Sequence, residues 1–351
     1  MNKVLSKLKE MIMWIVLVVL LVAFQILCKR VTGRDFLSLA NVLNILGQNA
    51  YQLIIGVGIT LIMLGGGMDL STGYLISTVG IVMALLNLQW FGGCSFGVTI
   101  ILGILLAVVL SGLNGAIYAW LKVFPFIITL AMQYILNGAT YLLSGGMTRT
   151  YQGLSDGFKW VGGYNLLKIG TGNLKTGVIV AAVMVALGAF ILNKTYFGRN
   201  IYAMGSNPEA VALSGVSVAK MRIAIFALAG FFFGVAQVVN IGKIGSVNNS
   251  MGVGSEFTVM AGCMLGGIKM GGGGGKMSNM VVGVLIIGVL NSGMNFLNMN
   301  QYWQDVALGV VLLAAIVLDT LQTVSARKRE KLVIGQPPVE ANSPEGHSLL
   351  G

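Results

Sequence analysis

Residues 44–92 read NILGQNAYQLIIGVGITLIML (44–64), GGGMDLSTG (65–73) and YLISTVGIVMALLNLQWFG (74–92). Each outer block holds about 20 mostly apolar residues, the length that crosses a bilayer as a helix. Between them, Gly65, Gly66 and Gly67 break helical order, and Asp69 and Ser71 can accept hydrogen bonds from free amides and start the next helix. Two membrane-length runs around a glycine break decide the fold class, because lipid admits only helices or closed barrels. Composition extends this to the whole chain: of 351 residues 56% are hydrophobic and 9% charged, with a mean hydropathy of +0.86. A soluble domain carries roughly a quarter charged residues. A water-soluble globule, a disordered chain and a fibre are thereby excluded, leaving an all-α polytopic membrane protein.

Hydropathy places ten spans, near 11–28, 44–64, 73–92, 97–121, 125–144, 177–193, 223–241, 256–270, 279–297 and 303–322. The first follows Lys3, Lys7 and Lys9 and imitates a secretory signal, but no small-x-small site follows it, so it reads as a retained anchor. An even count puts both termini on one side. With the N-terminus inside, Lys and Arg number 14 inside and 8 outside, the bias expected of a cytoplasmic side. The chain thus divides into a cytoplasmic N-terminus (1–10), a transmembrane body (11–322) with an external loop at 145–176 and a cytoplasmic loop at 194–222, and a tail (323–351). The tail is charged, then rich in Pro, Gly and Ser, and is expected to be largely disordered and cytoplasmic.

Most catalytic chemistry is absent from the body. The single histidine, His347, lies in the tail, and Cys28, Cys94 and Cys263 sit singly in apolar surroundings, too scattered for a disulfide framework or metal site. Residues 266–276 invite comparison with a phosphate loop, yet Met270 and Met277 stand where G-x-x-x-x-G-K-[ST] demands Gly and Ser/Thr. That segment reads as a flexible cytoplasmic hairpin, and any ATP that drives this protein must be held by a partner.

Candidates for a translocation pathway or gate are polar residues within the runs. Asp69 and Ser71 form either a capped turn at the cytoplasmic surface or a gate in a broken helix sheltered by protein. Gln48, Asn49, Asn114, Gln133, Asn137, Gln237, Asn240, Asn291 and Asn295 are neutral amides. Gln133 with Asn137, and Asn291 with Asn295, are four apart and share helix faces. Such amides either bond helix to helix or hydrogen-bond a hydroxyl-rich solute without holding an ion in low dielectric. As a set they favour an uncharged polar cargo. Gly230 with Gly234, and Ser111 with Gly115, are spaced for close helix packing.

Residues 194–215 read KTYFGRNIYAMGSNPEAVALSG. Asn207 can cap a short helix, with Pro208 at its first position, Glu209 in its first turn and Gly215 as its stop. The run TYFGRNIYAMGSNPEAVALSGVSVAKMR resembles the coupling loop of permease subunits of bacterial ABC importers for monosaccharides, of the ribose, xylose and galactose branch. The Glu209, Ala210, Val211, Gly215 spacing is similar to the E-A-A-x-x-x-G coupling motif, with Val211 replacing the second Ala and no later Ile-x-Leu-Pro portion. GGGMDLSTG (65–73), FPFIITLAMQYILNGATYLLSGG (124–146) and NQYWQDVALGVVLLAAIVLD (300–319) resemble further family segments in chain order. The five glycines at 271–275 depart from the family pattern.

The resemblance implies a fold of about ten helices similar to vitamin B12 importer-type (type II) ABC permeases. It also implies a non-catalytic transport subunit in a bacterial cytoplasmic (inner) membrane. Its partners would be cytoplasmic ABC ATPase subunits, which bind ATP and Mg, an extracytoplasmic sugar-binding protein, and a second permease, identical or related. No cofactor would be bound by this chain, and nucleic acid would not be a partner. Gly198, Arg199, Asn207, Pro208, Glu209, Ala210 and Gly215 would couple it to the ATPase. The alternative is an ion-coupled secondary transporter, which broken helices also suit. It is disfavoured because Asp69, Glu256, Asp305 and Asp319 all lie near span ends.

Overall fold

A computed structural model describes residues 2–314, 316 and 317, with side chains described from Met13 onward. The 323–351 tail lies outside the described residues. The helices are α1 (Asn2–Thr32), α2 (Leu39–Leu64), α3 (Thr72–Leu88), α4 (Phe96–Leu121), α5 (Pro125–Leu143), α6 (Asp156–Gly162) and α7 (Thr176–Lys194). They continue with α8 (Tyr196–Ser206), α9 (Pro208–Leu213), α10 (Val218–Ile244), α11 (Ser255–Leu265) and α12 (Met277–Phe296), and with α13, residues 301–314. Every predicted span overlaps a helix, the last followed as far as the described residues reach. Among the described residues seven helices are long and apolar enough to cross a membrane. α3, of 17 residues, and α11, of 11, are too short to do so alone.

The centre of the bundle is α2, buried from Leu53 to Leu64 without interruption. α10 packs on it and runs antiparallel to α4 along most of their lengths. Small residues permit this approach: a Cβ on Gly230 would collide with the Ala107 carbonyl, and one on Gly115 would lie 2.9 Å from the Arg222 carbonyl. Ser111 Oγ donates to the Phe226 carbonyl at 2.7 Å. The predicted Gly230/Gly234 and Ser111/Gly115 spacings are therefore packing. On α4 the buried stripe is Thr99, Gly103, Ala107, Ser111 and Asn114, while Ile101, Leu105, Val109 and Leu113 face outward. Large side chains toward lipid and small ones inward are what a bundle needs when burying apolar surface against protein yields little over lipid.

The two ends of the bundle differ. One carries α8 and α9; here Arg222 lies 4.1 Å over the Tyr118 ring. The other carries α6 and two short antiparallel ribbons, β1 (Thr150–Tyr151) with β4 (Val247–Asn248), and β2 (Asn165–Ile169) with β3 (Gly172–Lys175). The 145–176 stretch is thus more ordered than a polar loop. Phe158 of α6 is buried and meets Phe96 edge-on at 5.1 Å.

α3 and α11 both begin inside the bundle. After β4 the chain turns inward: Asn249 Nδ2 donates to Ser144 Oγ at 2.9 Å and to the Thr140 carbonyl at 3.2 Å, and Gly252 N donates to Ser77 Oγ at 3.0 Å. Irregular backbone at this depth is tolerated because α3 and α5 supply its hydrogen bonds.

Candidate functional site

At the α8–α9 end, two helices replace the one that the sequence suggested. Thr195 Oγ1 accepts from Gly198 N at 3.1 Å and starts α8, whose Ile201 and Met204 are buried. Gly198 is buried where a Cβ would strike the Ile191 and Leu192 carbonyls. Arg199 is exposed, its guanidinium 5.5 Å from the Tyr196 ring centroid. Asn207 Oδ1 accepts from Ala210 N at 3.0 Å, Pro208 opens α9 and Gly215 ends it with φ +84°. Of α9 only Val211 is buried; Glu209, Ala210 and Leu213 project into solvent. Six of the seven predicted coupling residues are exposed, Arg199 near the start of α8 and the others at α9, and Gly198 alone is buried.

The glycine run 271–275 folds back onto this face. Gly273 N donates to the Leu64 carbonyl at 2.9 Å, and Tyr202 OH donates to the Gly275 carbonyl at 3.0 Å. Burial pushes the Tyr202 phenol up, so it stays protonated and donates at neutral pH. Gly205 sits where a Cβ would collide with the Leu64 carbonyl and the Gly273 amide. The expected free hairpin is instead anchored to α2 and α8.

The 65–73 break is not a surface turn. Asp69 is 2% exposed and Ser71 fully buried. Asp69 Oδ1 accepts from Ser71 Oγ at 2.6 Å and Ser71 N at 2.8 Å, and Asn114 Nδ2 donates to Ser71 Oγ at 2.8 Å. Leu70 N donates to Thr129 Oγ1 at 3.1 Å. Ser71 precedes α3 but its side chain caps nothing, because Asp69 and Asn114 occupy it. Glu256, 1% exposed, lies against Gly73, where a Cβ would meet its carboxylate.

The remaining predicted pathway residues scatter. Asn49 is buried, donates to the Ile45 carbonyl at 2.7 Å and fills the space opened by Gly288 of α12. Gln133 and Asn137 are half-buried on α5, each with a side-chain carbonyl that has no donor. Asn291 and Asn295 line two clefts between α2 and α12. The upper, of about 550 Å³, opens at the ribbon end between Thr32, Arg34, Asn41, Asn44, Gln48, Ser292, Asn295 and Asn298. The lower, of about 200 Å³, is lined by Tyr51, Gln52, Ser255, Thr258, Asn291, Gln301, Gln304 and Asp305. Of the α2 members only Gln48 was singled out; Asn44, Gln52 and the α13 members were missed. Asn44, Gln48 and Gln52, four apart on one helix face, were the available signal. Among the described residues no group of three or more His, Cys, Asp or Glu could hold a metal.

The family described as "Branched-chain amino acid transport system / permease component" matches residues 41–316. The galactose/methyl galactoside import permease protein of Escherichia coli (strain K12) is 33% identical over 344 residues, 93% of this chain and 97% of the relative. The ribose import permease protein of Haemophilus influenzae is 33% identical over 81% of this chain and 86% of its own length. The fructose import permease protein of Rhizobium meliloti is 32% identical over 87% and 83%. No solved structure matches.

Proposed function

From the premise that this chain belongs to the permease-component family of those transport systems, we propose that it is the membrane-spanning subunit of an ATP-driven importer of a monosaccharide. The observation that carries this reading is α9: a helix of six residues, capped by Asn207 and stopped by Gly215, holds Glu209 and Leu213 out in solvent. A capped helix whose apolar Leu213 is 90% exposed fits the groove of an ATPase subunit that binds ATP and Mg. The α8–α9 end is then cytoplasmic together with both termini, and the ribbon end receives an extracytoplasmic sugar-binding protein. The Lys and Arg distribution supports that orientation. A second permease, identical or related, completes the pair. The names of the relatives and the amide-lined clefts support a sugar.

The mechanism is one of differential affinity. A ligand shifts a two-state body only as far as it binds one state better. The ATPase dimer, closing on ATP, would supply that difference through α9, and the binding protein would supply it at the opposite end. This chain performs no chemistry on its cargo; it changes which end of the bundle is open.

Reconstitution in liposomes with ATPase and binding protein tests the reading. Uptake of labelled galactose, ribose or fructose should require internal ATP and both partners, and Glu209→Lys should abolish it while the chain still inserts. Uptake that follows a proton or sodium gradient with no ATPase present overturns the importer, and uptake of leucine in place of sugar overturns the cargo class.

A further inference from the structure

We propose that cargo crosses the half of the bundle nearest the ribbon end along the groove between α2, α12 and α13, with Asn44, Gln48 and Gln52 facing Asn291. We assign a neutral, polyhydroxylated solute as its ligand. This inference rests on the importer reading and adds to it a site. Its ground is a contrast in hydrogen bonding. Asn114 and Asn249 donate to neighbouring elements, and Asn49 donates to the preceding turn of its own helix while packing on Gly288 of α12. Among the described residues the side chains of Asn44, Gln48 and Asn291 make no hydrogen bond, although they sit on apolar helices; Asn44 and Gln48 are exposed and Asn291 half-buried. Amides that join no helices are not glue, and amides facing lipid would be costly. Asn240 is equally unbonded but buried; what sets Asn44, Gln48 and Asn291 apart is that they are open and line the two clefts, so the face that bears them is wet.

The row has direction and an end. Asn44, Gln48 and Gln52 are one turn apart, so they descend along a single face of α2. The upper cleft, about 550 Å³, is within the range of roughly 300–1,000 Å³ typical of small-molecule sites. The lower one reaches Ser255 and Thr258, in the first turn of α11. Beyond it α2 is buried to its end, and Met280 lies on Gly56, its sulfur 2.6 Å from where a Cβ would be. The groove is therefore blind toward the α8–α9 end. A flexible thioether at the stop can change shape without leaving a void. Three charges flank the groove: Arg34 in the upper cleft, Asp305 in the lower, held by Gln301 Nε2 at 3.1 Å, and Lys243, whose Nζ donates to the Gln48 backbone carbonyl at 3.3 Å and lies 4.4 Å over the Tyr51 ring. Between them lie amides and hydroxyls, which suit a solute rich in hydroxyls better than an ion.

Two measurements test this. In the reconstituted importer, Gln48→Leu, Gln52→Leu and Asn291→Leu should each lower sugar uptake at subsaturating sugar by tenfold or more, with the detergent melting temperature unchanged. Separately, in the full chain in membranes, Gln48→Cys and Asn291→Cys should label with an impermeant maleimide above the parent chain's background, and Ile59→Cys should not. Wild-type uptake in the Leu variants, or equal labelling at Ile59 and Gln48, overturns the groove. If the unaltered complex moves no sugar, the importer reading fails, and the labelling pattern still decides whether the groove is wet.

Discussion

Two polar clusters lie inside this apolar bundle, built from the same kinds of side chain, and they behave oppositely. The knot of Asp69, Ser71, Asn114 and Thr129 is dry: each member makes at least one bond to another or to a neighbouring backbone group, and none is more than 2% exposed, although Asp69 Oδ2 and Asn114 Oδ1 are left without donors. The α2–α12 groove is wet, with three amides unbonded and a cleft beside them. A polar residue in a membrane helix therefore says little until its partners are known. Where polar groups bond across elements in full burial they fix helices; where they stay unbonded beside an open cleft they are available to a solute.

The comparison can be broken or sharpened by substitution. The largest effect is expected at Gly73, whose added side chain would meet the Glu256 carboxylate and the Gly252 carbonyl. Gly73→Val should prevent assembly of α3 against α11 and cut the yield of folded, detergent-soluble protein by more than tenfold, read by size-exclusion chromatography. Next is Asn114→Leu, which removes the donor to Ser71 Oγ. A buried interhelical hydrogen bond in a membrane averages about 0.6 kcal/mol and reaches about 1.7, so the melting temperature should fall by a few degrees. Asn44→Leu should leave it unmoved. If the two variants melt alike, the distinction between dry and wet clusters is lost.

Smaller still is Asn207→Ala. Loss of an N-cap costs about 1 kcal/mol, felt locally in a six-residue helix, so ATP-dependent uptake should drop severalfold while global stability holds. The least effect is expected at the groove's rim. There Lys29 Nζ lies 3.0 Å from Asp35 Oδ1, and Gln25 Nε2 donates to the same oxygen at 2.7 Å. The Lys29 bond, then the Gln25 bond, hold the Asp35 carboxyl below its usual range. A carboxyl with a depressed folded pKa stabilises fully above its unfolded pKa of about 3.9, and that contribution vanishes as pH falls through the lower folded value. The melting difference between the native chain and Lys29→Met should therefore be small at pH 6 and shrink further as pH falls below about 3.9. A difference that grows on acidification would show the pairing to be misassigned.

Much of this was legible in the residues. The ten apolar runs announced every membrane helix, because burial in lipid demands length and apolarity and little else. α9 was readable since its cap, first-turn Pro and Glu, and glycine stop are local signals. The shortness of α3 and α11 was not, because hydropathy continues through 89–92 and 266–270 although the helix does not. Nor was the depth of Asp69, which depends on Asn114 and Thr129, 45 and 60 residues further on. Asn291 and Asn295 were found as a pair, but the α2 row was obscured by Asn49, which sits beside Gln48 in sequence and points to a different neighbour.

One consequence concerns Gly205, where α8, the end of α2 and the glycine run before α12 meet backbone to backbone. Side chains act as cushions: they hop rotamers and absorb small displacements before the chain behind them stirs. Here there is no cushion. On the coupling role proposed for α9, a thrust received at Glu209 would reach Leu64 and Gly273 through backbone alone, like a crank with little slack in its bearing.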